Sequence, residues 1–92
     1  MCISYLTWLM EQYELTVENA DDKVFLLYKD RVIGVTRLYR NQFIITIGYH
    51  AFVIAECDGR IRPWTLNAIE ISHDVIWQWI IETIQRPPVG NY

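Results

Sequence analysis

An α+β fold is predicted: a helix at each end and, between them, an antiparallel β-meander of four to five strands, with both helices packed on one face of the sheet. Three observations predict it. A polar stripe at three- and four-residue intervals opens the 92-residue chain, alternation and β-branched runs fill residues 23 to 65, and a second helical pattern precedes a proline pair. A chain this short holds one core, so residues 1 to 86 are read as a single domain and residues 87 to 92 as a Pro-rich C-terminal tail. With 52% hydrophobic residues, 21% charged residues and a net charge of -3, it has ample apolar surface to offset the entropy of folding.

The first helix is expected over residues 1 to 18. Ser4, Thr7, Glu11, Glu14 and Glu18 form its polar stripe, while Ile3, Leu6, Met10, Tyr13 and Val17, widened by Tyr5, Trp8, Leu9 and Leu15, leave the rest of the cylinder apolar. The segment from Met1 has no base ahead of it and reaches Glu11 too early for a membrane span, so it is expected to be neither signal peptide nor transmembrane helix. Residues 19 to 22, polar and acidic, read as a loop.

The meander follows. Residues 24 to 29 and 32 to 39 are predicted strands joined by a turn at Asp30 and Arg31, with Arg37 on the same side as Ile33, Val35 and Tyr39. After a turn at Arg40 and Asn41, residues 42 to 56 form a long extended segment, bent or broken near Gly48. Asp58-Gly59 is the clearest local signal, since both residues readily take the positive φ of a two-residue hairpin turn. A further strand starts at Arg60, and Pro63 places it at an edge or ends it. The second helix begins near Asn67 or, by preference, at Ser72. Asp74, Gln78, Glu82 and Gln85 make its polar line, and Val75, Ile76, Trp77, Trp79, Ile80, Ile81 and Ile84 fill the remainder.

Charge divides along the same boundaries. Residues 1 to 22 hold five acids (Glu11, Glu14, Glu18, Asp21, Asp22) and no base. Residues 23 to 62 hold seven bases (Lys23, Lys29, Arg31, Arg37, Arg40, Arg60, Arg62) against Asp30, Glu56 and Asp58, a surplus of +4. The strands are basic and the N-terminal helix acidic, which fits a partner acidic at its contact surface.

No chemical motif specifies a reaction. The four glycines stand singly, so no phosphate loop exists, and no cofactor-binding pattern is present. Cys57 with His50 would be a nucleophile and base only if folding overcame their seven-residue separation, roughly 20 Å along an extended strand. Cys2, His50, Cys57 and His73 are zinc-type ligands without the short paired spacings of structural sites. Two cysteines 55 positions apart make no disulfide framework, which fits a reducing, cytoplasmic setting.

The expected function is therefore non-enzymatic: a small protein-binding module of the inhibitor, adaptor or regulatory kind. Trp8, Trp77 and Trp79 are the expected apolar anchors and Arg31, Arg37 and Arg40 the charged rim, since Trp and Arg are enriched at interface hot spots. The partner is a different protein or a second copy in a homodimer. The alternative is nucleic-acid binding by the basic strands 23 to 62, interleaved with Tyr28, Tyr39, Phe43 and Tyr49.

Overall fold

The computed structural model describes residues 3–86, so the tail at 87 to 92 and Cys2 lie outside the described residues. Helix α1 covers Ile3–Tyr13, five residues shorter than the polar stripe predicted. The stop is a backbone event at Glu14, whose φ of 54° is left-handed, with the Leu15 N–H donating to the Met10 carbonyl at 3.1 Å. This six-to-one bond, closing over a left-handed residue, satisfies a carbonyl that the helix end would otherwise orphan. Beyond it, Thr16 and Val17 are β-branched, and Thr16–Asn19 becomes strand β1. Residues 16 to 19 were expected as helix and loop; as a strand they raise the sheet to six strands instead of four or five.

Strands β2 (Val24–Tyr28), β3 (Arg31–Tyr39), β4 (Gln42–Ile47), β5 (His50–Cys57) and β6 (Arg60–Trp64) follow as an antiparallel meander in sequence order. Three of its hairpin turns are pairs with positive φ at both residues: Lys29-Asp30, Arg40-Asn41 and Asp58-Gly59. That conformation matches the right-handed twist of paired strands. The first falls one residue earlier than Asp30-Arg31, which releases Arg31 into β3. The long segment expected from residue 42 breaks at Gly48, whose φ is +61° and whose neighbour Thr83 would lie 2.5 Å from any added Cβ.

The pairing of β2 with β3 slips between Leu26 and Leu27, leaving Ile33 as an extra residue opposite them. Ile33 therefore turns into the core, fully buried, and not to the side shared by Val35, Arg37 and Tyr39 as simple alternation predicted. Gly34 follows the bulge at a position where a Cβ would come within 2.0 Å of the Thr46 carbonyl oxygen, so only glycine admits this approach.

Registers divide the sheet into two faces. Leu26, Gly34, Ile47 and His50 lie in one row, with Thr36, Ile45 and Phe52 in the next, and this face carries most of the buried core. Helix α2 (His73–Gln85) lies against it, burying Ile76 and Ile80, stacking Trp79 on His50 at 4.4 Å, and setting Trp79 beside Phe52. Its N-cap is Ser72, the preferred start. Helix α1 adds Leu9 and Tyr13 to the core and meets α2 through the edge of Tyr13 on Trp77. The outer side of β6 is closed by residues 65 to 71, where the Ile71 N–H donates to the Pro63 carbonyl and Glu70 bridges to Trp64. Pro63 thus occupies the edge strand its missing N–H requires.

Candidate functional site

The second face of the sheet is formed by the alternate residues. Phe25, Val35, Thr46 and Ala51 make one cross-strand row, Arg37, Ile44, Val53 and Trp64 the next, and Tyr39 with Gln42, and Ala55 with Arg62, the third. Val32 and Tyr39 on this face remain 42% and 56% exposed. Between β3 and β4 it dips into a shallow cleft of about 220 Å³ lined by Val35, Arg37, Tyr39, Ile44 and Thr46. Its composition is unusual for a solvated sheet face, which ordinarily alternates polar-out. Aliphatic and aromatic side chains dominate; the charges are Arg37, Arg60 and Arg62, with Lys23 over the Phe25 ring, Glu18 opposite Phe25 on β1, and Glu70 against Arg62 beside Trp64.

The six residues expected to bind a partner fall into three groups. Trp8, Trp77 and Trp79 are half-buried and their rings are engaged inside the molecule: Trp8 against Tyr13 and His73, Trp77 against Tyr13 and Tyr28, Trp79 against His50 and Phe52. Arg31 reaches from the β2–β3 hairpin to the end of α2, donating to the Ile84 carbonyl and, at 3.0 Å, to that of Arg86. It meets the negative end of the helix dipole and satisfies carbonyls the helix cannot. Arg37 and Arg40 belong to the bare face and its adjoining turn, with Arg40 over the Tyr39 ring at 5.3 Å. The structure therefore separates the tryptophans from Arg37 by the thickness of the sheet.

Sequence reasoning overlooked Ile44 and Val53 as surface residues, although it counted Trp64 with the other tryptophans as favouring an interface. The signal was present in the alternation of residues 42 to 56, but with two apolar faces that stretch reads as a uniform hydrophobic run. Large exposed apolar residues lie mostly off the helices: Val32, Leu38, Tyr39, Tyr49, Leu66 and Ile69, against Val75 and Ile81 on α2.

Other chemistry is dispersed. His50 opens β5 facing α2, where its Nε2 lies 3.7 Å from Glu82, whereas Cys57 closes the same strand beside Asp58. His73 Nδ1 is held by the buried Tyr13 hydroxyl at 2.6 Å, and burial pushes that phenol above its ordinary value of 10.0. Among the described residues no three His, Cys, Asp or Glu side chains gather as metal ligands, and no helix is long and apolar enough to cross a membrane. Comparison with protein-family models, with curated proteins and with solved structures returned no match.

Proposed function

We propose that this protein is a small non-catalytic module that binds another protein, and that both helices share one face of its sheet so that the opposite, bare face does the binding. One observation carries the reading: Ile44, Val53 and Trp64, each partly exposed, form a cross-strand row that runs into the exposed Arg37 on the face opposite α2. Contiguous apolar surface on a small domain marks an interaction site more often than a scattered exposed residue does. The tryptophans of α1 and α2 support it indirectly, since they hold the helix layer together and leave the sheet to face outward. A cytoplasmic setting is part of the proposal, supported by two cysteines without a framework.

Nucleic acid is the less favoured occupant. Tyr39 and Trp64 stand on β3 and β6, three strands or roughly 14 Å apart with Ile44 and Val53 between them, and the Trp64 indole N–H is directed to the Ala55 carbonyl. That spacing does not let rings carry successive stacked bases. Capture from the native host tests the function, using wild type and Ile44→Lys checked for native circular dichroism. The expected result is a partner bound by wild type, cross-linked to β3 and β4, and lost by the variant. Retention by Ile44→Lys, or cross-links confined to α1 and α2, would overturn the face. A salt-sensitive mobility shift with single-stranded or duplex probes would replace protein by nucleic acid.

A further inference from the structure

We infer, resting on that reading, that the bare face takes an extended acidic segment of the partner, one carboxylate of which sits on Arg37 between Tyr39 and Ile44.

Most cations are engaged: Arg31 with the carbonyls of α2, Arg62 with Glu70 Oε1 at 3.2 Å, and Arg40, Lys29, Lys23 and Arg86 over the rings of Tyr39, Tyr28, Phe25 and Tyr49, which leaves Arg60 beside its hairpin turn and Arg37. Arg37 makes no hydrogen bond or ion pair with any described residue. Yet it lines the cleft, with Val35 and Ile44 as apolar walls and the Thr46 side chain beside it. A guanidinium is a planar fork suited to a carboxylate, and Arg37, exposed at the rim of this cleft, is within reach of one.

Charge near that guanidinium is mixed: Arg62 is answered by Glu70, which bridges to Trp64, Asp58 shares the turn before Arg60, and the 20–22 turn with Asp21 and Asp22 lies at the same end of the sheet. What draws a carboxylate is therefore Arg37 itself, and the apolar side chains of the same segment then lie along the Ile44, Val53 and Trp64 row.

The face is also small: six strands about 4.8 Å apart and on average about six residues long span about 600 Å². A stable interface between folded partners covers about 800 Å² on each side, so this face suits a short segment better than a second globular surface. A second copy set symmetrically over the cleft would also bring two Arg37 guanidiniums together.

The test is selection of displayed random twelve-residue peptides on the full chain, followed by anisotropy with an enriched peptide. Enriched peptides should carry Asp or Glu next to an apolar residue and shift the amides of residues 35, 37, 39, 44 and 46. Arg37→Glu and the milder Arg37→Gln should weaken binding tenfold or more, and exchanging the peptide's acid for Lys should restore binding to Arg37→Glu. Peptides without acids, no enrichment at all, affinity unchanged by either variant, or displacement by an oligothymidylate would overturn the inference. If Ile44→Lys loses a host partner that Arg37→Glu keeps, the carboxylate seat fails while the protein-binding reading stands. Loss of neither places both in error.

Discussion

Tyr13 shows how one buried polar atom ties the helix layer together. Its ring is fully buried between Trp8 and Trp77, and its hydroxyl has a single outlet, His73 Nδ1 at 2.6 Å. Tyr13→Phe keeps the ring and removes the bond. Because His73 is exposed and can turn to water, the loss at neutral pH should be about 0.5–1.5 kcal/mol, a typical net hydrogen bond. The pH dependence carries more information. Burial raises the folded phenol above the ordinary 10.0, so above that pH the unfolded chain releases its proton first and the folded state does not. Stability is therefore intact below the unfolded value and falls as pH rises past it, by at most about 1.4 kcal/mol per pH unit from this group. Urea denaturation of wild type and Tyr13→Phe at neutral and at strongly alkaline pH checks the sign: the gap between them should narrow or reverse in alkali. Parallel stability curves would show that the phenol is not the group responsible.

At the level of elements, the boundary between α1 and β1 turns on Glu14. A non-glycine residue held at φ 54° costs roughly 1 kcal/mol relative to glycine, which adopts that region freely. Glu14→Gly should accordingly stabilise the protein by about that amount, raising its thermal midpoint in calorimetry; a lowered midpoint would mean that the Glu14 side chain contributes something the backbone argument omits. The same residue explains what the sequence concealed. Glu11, Glu14 and Glu18 keep helical spacing through residue 18, and no glycine or asparagine announces the stop, so periodicity overruns a termination made by backbone geometry alone. Where the chemistry is written in residue type, the elements were legible: Asp58-Gly59 as a hairpin turn, Pro63 on an edge strand, Ser72 before α2. The bulge at Ile33 was not, because an extra residue leaves the hydrophobic pattern apolar on both sides of the slip. The residues proposed to bind divide the same way. Arg37 was legible as a strand-borne charge among apolar neighbours, whereas the tryptophans looked like free anchors because a single sequence does not reveal that each ring meets another aromatic across the helix layer.

For the whole molecule, the separation of an acidic N-terminal segment from a basic sheet bears on self-association. Glu11, Glu14 and Glu18 line α1 and the β1 edge, while the arginines stand on the other face and its turns, with Asp21, Asp22, Asp58 and Glu70 near them. Attraction between these two regions of different copies is head-to-tail, and a heterologous contact of that kind makes open chains of molecules unless its rotation happens to close a ring. The face-to-face alternative closes as a dimer but opposes Arg37 to its own symmetry mate over an area smaller than stable dimers use. Salt then decides the matter. At physiological ionic strength exposed charges are screened beyond about 8 Å, which weakens the head-to-tail contact, whereas two guanidiniums opposed well within that distance keep most of their repulsion in the symmetric one. Sedimentation velocity at micromolar concentration in physiological salt should therefore show a monomer, with any mass increase confined to low salt and growing with concentration without a plateau. A discrete, salt-resistant dimer that Ile44→Lys abolishes would place a second copy on the bare face and remove the acidic segment as its occupant.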